Sequence, residues 1–211
     1  MSAEEVAEAL AARCRGAVEA DAPLASGTTL KVGGRARVLV VAEEDRDLAA
    51  VGAVARAHDL PWAVLGRGSN LLVADAGWPG IAVRLGRGYR AFTRAGRRVR
   101  LGAAEPLPTA AVRLADAGYA GFAWACSVPG TIGGAVRMNA GAHGAAMVDH
   151  LVEVELVRLT TGTREHWPAE LLGLAYRSSQ LPADAVVVVA TLELEPGDAA
   201  EERDRIQRIR A

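Results

Sequence analysis

Apolar positions recur at helical spacing over residues 2–20, with Val6, Leu10 and Cys14 on one face, and Asp21-Ala-Pro23 ends the run. From Thr28 to Val41 apolar and polar residues alternate about Gly33-Gly34, the pattern of a hairpin. Helical spacing returns over Asp45 to His58, where Leu48, Val51, Val54 and Ala55 share a face. Leu60 to Leu65 predicts a strand that enters a glycine-rich loop, and Ile81 to Leu85 predicts another. Val99 to Leu101 closes a hairpin, and Pro108 to Ala117 predicts a third helix. Val152 to Leu159 alternates up to the turn Thr161-Gly162, Val186 to Leu194 predicts the last strand, and Glu201 to Arg210 starts a polar helix. Helices, strands and hairpins mixed in this way point to an α+β architecture rather than strict βαβ alternation, and no internal repeat is present.

Composition narrows the class. The chain has 211 residues, 51% hydrophobic, with formal net charge −1. A disordered chain would be less apolar and further from neutrality, and a dedicated nucleic-acid binder would be strongly basic. The length allows one or two domains with a real core. Ala (44) and Gly (23) together contribute little side-chain area and aromatics are only 4%, so Val and Leu must supply most of the burial. Arginine outnumbers lysine 23 to 1, the single lysine being Lys31, which reads first as a bias of the source genome. Arg84, Arg87, Arg90, Arg94, Arg97, Arg98 and Arg100 form a basic cluster around a composition shift near Gly86 to Gly96. A phosphate or nucleic-acid patch is one reading; with no stacking-aromatic pattern beside it, a solvated hairpin edge is the preferred one.

Met1 to Ala12 carries Glu4, Glu5 and Glu8 and does not read as a signal peptide. The longest apolar run, Ala183 to Leu192, falls well short of the roughly 18 residues of a membrane span. Cys14 and Cys126 lie far apart outside any C-x-x-C motif, so no disulfide or zinc framework is expected. His58, His150 and His166 lack metal-ligand spacing. A cytoplasmic protein with neither a membrane nor a nucleic-acid partner is expected, its oligomeric state open.

Three segments carry chemistry. Leu65-Gly-Arg-Gly-Ser-Asn-Leu71 follows an apolar strand; Gly66 and Gly68 permit positive φ and close backbone approach, and Ser69 and Asn70 add short polar groups. Such a run of turned N–H groups suits a phosphate, though a tight turn between strands explains it about as well. Ser127-Val-Pro-Gly-Thr-Ile-Gly-Gly-Ala135 with Met138-Asn-Ala-Gly-Ala-His-Gly144 places five glycines in 15 residues, more than turns alone require. A flat or anionic ligand lying on bare backbone would require them. In Leu174-Ala-Tyr-Arg-Ser-Ser179, Arg177 is either part of a turn before the last strand or a fixed cation for an anionic substrate.

Taken together with Thr28-Thr-Leu-Lys-Val-Gly-Gly34, Tyr176-Arg177-x-Ser179 and Glu195-Pro-Gly-Asp198, these segments resemble the UDP-N-acetylenolpyruvoylglucosamine reductase family in order and spacing from about Pro23 to Asp198. The resemblance implies an FAD-binding fold of the vanillyl-alcohol-oxidase (PCMH) type with two α+β subdomains, 23–88 and 89–198, after an N-terminal helix (1–22) and before the start of a C-terminal region (199–211). By position it implies that Gly66, Arg67, Gly68, Ser69 and Asn70 hold the FAD pyrophosphate, with Leu65 and Leu71 also among the cofactor-binding residues. Ser127, Pro129, Gly130, Thr131, Gly133, Gly134 and Ala135 would line pyrophosphate and isoalloxazine, with Asn139 and Gly141 completing that wall. Arg177 would polarise an enolpyruvyl carboxylate and Tyr176 help to position it. The implied reaction takes hydride from NADPH through FAD to the enolpyruvyl group of a nucleotide sugar, in peptidoglycan precursor synthesis.

The departures are specific. Arg35 stands where the family commonly has proline, and Ala123 where it has glutamate. The family's serine proton donor, in a Gly-Ser-x-Phe-Lys-Asn-Pro-like motif, and its late glutamate have no counterpart, and Ser178 and Ser179 do not match that motif. The resemblance therefore implies an FAD-binding portion without the C-terminal substrate domain. Two alternatives stand: another flavoprotein oxidase of this fold, with His143 or Cys126 available for covalent flavin, or a non-catalytic flavin-binding remnant.

Overall fold

In the computed structural model, which describes residues 1–211, helix α1 (Ala3–Ala11) begins on a capping box. The Ser2 hydroxyl accepts from Glu5 N (3.2 Å) and Ser2 N donates to the Glu5 carboxylate (2.8 Å). Val6 and Leu10 are its buried face. Ala12 N, Arg13 N and Cys14 N still bond back to its last turn, and the helix expected over 2–20 goes no further because the N–H groups of Arg15 and Gly16 are taken elsewhere. The fully buried Asp47 carboxylate accepts from Arg15 N (2.8 Å), Gly16 N (3.1 Å) and Glu43 N (2.8 Å). A Cβ on Gly16 would lie 1.6 Å from Val41 O, so only glycine lets the chain pass there. The chain then extends as β1 (Val18–Pro23), antiparallel to β2 (Arg35–Ala42). The hairpin expected over 28–41 is therefore also displaced: β2 pairs with an upstream strand, and residues 28–34 are a loop.

Helix α2 (Asp45–Ala57) crosses over to β3 (Trp62–Val64) and β4 (Trp78–Leu85), giving a four-stranded sheet in the order β1-β2-β4-β3 with β2, β4 and β3 parallel. These elements form one compact unit, Met1–Tyr89, joined by Val157–Glu165 and Asp184–Val186. Within it a Cβ on Gly52 of α2 would sit 1.7 Å from Leu159 O. Arg164 grips Asp45 with two hydrogen bonds (2.7 and 2.9 Å), and the Tyr89 hydroxyl donates to the same carboxylate (3.0 Å). Burial by itself would raise the Asp45 carboxyl, but these bonds outweigh it and hold the group below its ordinary value. Asp184, bonded by Arg158 (2.9 Å), is held low in the same way against its own desolvation. Cys14, desolvated beside Asp47, is pushed up to about 11 and stays a thiol.

The second unit comprises Arg90–Leu156, His166–Ala183 and Val187–Ala211. Its elements are β5 (Phe92–Ala95), β6 (Arg98–Gly102), α3 (Leu107–Asp116), α4 (Ile132–Arg137), α5 (Ala199–Arg210) and most of β7 (Leu151–Arg158), β8 (Arg164–Pro168) and β9 (Ala185–Glu193), of which 157–158, 164–165 and 185–186 belong to the first unit. The five strands run in the order β8-β7-β9-β6-β5. Asp198 caps α5 by accepting from Ala200 N (2.7 Å) and Glu201 N (3.0 Å). That helix packs on α3 and on the turn Ala123–Ser127, where Phe122 and Trp124 meet at 5.1 Å between ring centroids. The basic cluster is divided: Arg97 pairs with Glu193 and Glu195 and Arg100 with Glu155, whereas Arg84 lies on β4 of the first unit. No helix is long and apolar enough to cross a membrane.

Two outcomes follow. Gly52→Ala should destabilise, although alanine favours a helix by about 1 kcal/mol, because the backbone of Leu159 must shift; a lowered urea midpoint checks this. The pH dependence has two limbs. Burial holds His150, edge-on to Phe122 at 5.7 Å, below its ordinary 6.5. The unfolded chain therefore takes up this proton first, and the contribution present above pH 6.5 is lost as pH falls through the folded value. Asp45 and Asp184 act likewise below their ordinary 3.8. Urea midpoints should fall in both windows, and His150→Phe should remove the upper limb alone.

Candidate functional site

The first glycine loop leaves β3 through Leu65, whose N–H donates to Val83 O (2.7 Å) and whose side chain is buried with Leu24, Ala36 and Ala82. Gly68 then turns the chain at φ +65°. A Cβ there would meet Gly27 O at 2.4 Å and Thr28 Cα at 2.6 Å, and Gly68 O accepts from Thr29 N (3.1 Å). Beneath this contact Arg84 donates to Gly27 O (3.0 Å), while its Nε is buried with no partner. Gly66, Arg67, Asn70 and Leu71 are exposed, and Ser69 is half-buried. The glycine pair of the upstream loop is used for close approach: Gly33 abuts Val73 (2.5 Å from its would-be Cβ), and Gly34 N donates to Ala74 O (2.9 Å).

In the second unit Thr131 caps α4, its hydroxyl accepting from Gly134 N (3.3 Å). Gly130, at φ +139°, precedes it and accepts from Leu107 N (3.1 Å). Gly133 is turned inward, donating to Ala103 O (3.0 Å) with no room for a Cβ 2.9 Å from the Ala103 methyl. Gly134 is turned outward, exposed, with only the Thr131 hydroxyl within 4 Å of a would-be Cβ. Ala135 is buried, while Ser127 and Pro129 are exposed. The Ser127 hydroxyl donates to Trp124 O (3.0 Å) and so accepts from His143 Nε2 (3.2 Å), which fixes the imidazole tautomer in the neutral ring. His143 and Gly144, both at positive φ, form the turn between Gly141–Ala142 and Ala145–Ala146.

Asn139 joins this segment to the arginine turn. It is buried at φ +39°; its Nδ2 donates to Ala175 O (3.1 Å) and its Oδ1 accepts from Val148 N (3.0 Å). Ala175 and Ser178 exchange two backbone bonds of 3.1 Å, so Tyr176 and Arg177 occupy the tip of a two-residue turn. Ser179 secures the far side by donating to Arg137 O (2.7 Å). Arg177, at φ +55°, is exposed, reaches Gly141 O (3.5 Å), and has no carboxylate partner. Tyr176 is 90% exposed. The structure thus brings Asn139, Gly141, Tyr176 and Arg177 together and gives the Asn139 amide wholly to the backbone. Sequence reasoning missed this anchoring and that of Arg84; the one local signal for Asn139 is that asparagine tolerates positive φ.

Residues 36–167 match the family model described as FAD binding domain. The chain is 44% identical over 189 residues to the UDP-N-acetylenolpyruvoylglucosamine reductase of Anaeromyxobacter sp. (strain Fw109-5), covering 90% of this chain and 59% of that relative. It is 38% identical over 197 residues to the reductase of the same name from Bacillus subtilis (strain 168), covering 92% and 65%. It therefore spans about three fifths of the length of such curated relatives. The crystal structure of UDP-N-acetylenolpyruvylglucosamine reductase from Thermus caldophilus superposes with TM-score 0.78 at 34% identity, covering 93% of this chain and 68% of that one. Physcomitrella patens BBE-like 1, at 16% identity and TM-score 0.66, shares the fold.

Asn139→Ala removes the side-chain acceptor of Val148 N and one of the two donors to Ala175 O, which keeps Ser178 N. It should lower stability by about 1 kcal/mol, with faster amide exchange at Val148 and through the 173–180 segment than elsewhere.

Proposed function

The chain belongs to the FAD-binding domain family and, within it, to the UDP-N-acetylenolpyruvoylglucosamine reductases, and on that footing we propose that it holds FAD for the NADPH-dependent reduction of UDP-N-acetylglucosamine enolpyruvate to UDP-N-acetylmuramate. The setting is peptidoglycan precursor synthesis in the cytoplasm. The residues present suit a dinucleotide. Gly66, Gly134 and Gly130 leave backbone within reach of a ligand, and Gly68 and Gly133, where a Cβ would strike neighbouring backbone or methyl groups of this chain, let that backbone pack closely from beneath. In this reading Gly66 to Asn70 hold the pyrophosphate, and Ser127, Pro129, Gly130, Thr131 and Gly134 face the flavin nucleotide. Leu65, Gly133, Ala135 and Asn139 support those surfaces from beneath, with Leu71 and Gly141 at their margins.

The chemistry that FAD supplies when bound is hydride transfer; this chain supplies placement and fixed charge. The observation that carries the reading is Arg177, a guanidinium without a carboxylate partner at the tip of a turn fixed on both sides. Such a cation is preorganised to stabilise negative charge as it builds on an enolpyruvyl carboxylate. Tyr176 beside it, ring centroid 5.8 Å from the guanidinium carbon, offers an exposed flat surface to the same group.

The purified chain should bind FAD, turn yellow, release the flavin on acid precipitation and be bleached by NADPH. A colourless chain that cannot be reconstituted with FAD contradicts the proposal, and flavin that stays with the precipitate points instead to a covalent link. Arg177→Ala should leave FAD binding intact and weaken the enolpyruvyl nucleotide sugar about 10- to 100-fold, read from perturbation of the flavin spectrum.

A further inference from the structure

The reading above leaves the segment Thr28 to Gly34 without a role, and that segment holds the only lysine among 24 basic residues. Lys31 differs from the arginines in three ways. Its backbone sits at φ +54°, a conformation glycine takes without strain, yet a long side chain is retained there. It is exposed and has no ion-pair partner, whereas Arg35 just beyond it is paired with Asp21 (2.7 Å). Its loop is stitched to the first glycine loop on both sides, by Thr29 N to Gly68 O (3.1 Å) and by Gly34 N to Ala74 O (2.9 Å).

The surroundings indicate what would cover it. Leu30 (61% exposed) and Val32 (46%) flank Lys31 in the chain, and Leu72 (77%) follows the glycine loop to which its loop is bonded, so all three put branched apolar side chains in water on these paired loops. Exposed apolar groups clustered about an unpaired cation suit a ligand with both apolar and anionic parts. A lysine ammonium is a compact charge with three rotatable donors, which suits phosphate oxygens.

We propose that Lys31 is an anion-binding residue for an organic diphosphate seated on the paired loops 28–34 and 65–72. Its naming of the ligand rests on the function proposed above. Two diphosphates belong to that reading, the pyrophosphate of FAD and the diphosphate of the nucleotide sugar, and they share the chemistry that Lys31 would recognise.

Because Lys31 is unique, amine-selective acylation followed by peptide mass spectrometry reads it alone, with the Met1 amine as an internal control. FAD binding to the same chain is measured in parallel by quenching of flavin fluorescence. FAD should slow acylation of Lys31 about tenfold while riboflavin, which lacks phosphate, does not. Protection by UDP-N-acetylglucosamine but not by FAD would support the diphosphate site and assign it to the sugar nucleotide. Lys31→Gln should weaken the protecting diphosphate about tenfold, and Lys31→Arg should restore most of the loss. If FAD binds and neither ligand protects Lys31, the Lys31 proposal alone is overturned. If FAD does not bind and neither ligand protects, both readings fall.

Discussion

One buried carboxamide sets the geometry of the arginine turn. Asn139 has a side chain short enough to sit within the glycine-rich segment and polar at both ends, and the backbone consumes both ends. Its acceptor takes the Val148 N–H just beyond the His143-Gly144 hairpin, and its donor takes the carbonyl that opens the Arg177 turn. The side chain itself is buried, so both of its polar ends must be paired, and the two bonds tie the hairpin and the arginine turn to it. An alanine would supply neither bond; an aspartate would supply the acceptor but lack the donor.

The first unit solves a similar problem with main chain and glycine. Gly68 and Gly27 let two loops touch backbone to backbone, and Arg84 braces the contact from the sheet below. A Cβ at Gly68 would separate the loops, and one at Gly27 would displace the Arg84 guanidinium. The consequence is a surface built largely of peptide groups, with Arg67 and Lys31 as its exposed cations and leucines around them. Such a surface is suited to a dinucleotide, whose phosphates need N–H groups and charge and whose rings need apolar contact.

What was legible in the sequence follows from what is local. Helices α2, α3 and α5 and strands β4, β7 and β9 carry their own periodicity, and their positions agree with it closely. The helix expected over 2–20 and the hairpin expected over 28–41 fail for one reason. Asp47, far along the chain, takes the N–H groups of Arg15 and Gly16, which frees residues 18–23 to pair with β2. The glycine segments were legible as places of close backbone approach because glycine has that property wherever it stands. The anchoring roles of Asn139, Ser179 and Arg84 were not, because each depends on a carbonyl between 36 and 57 residues away.

The central claim is that the two glycine-built surfaces receive FAD. Amide hydrogen exchange of the chain with and without FAD tests it most directly. Bound FAD should slow exchange in 65–71 and 127–141, with the rest of the chain little changed. Unchanged exchange in both segments under saturating FAD, or protection confined to other parts of the chain, would contradict it.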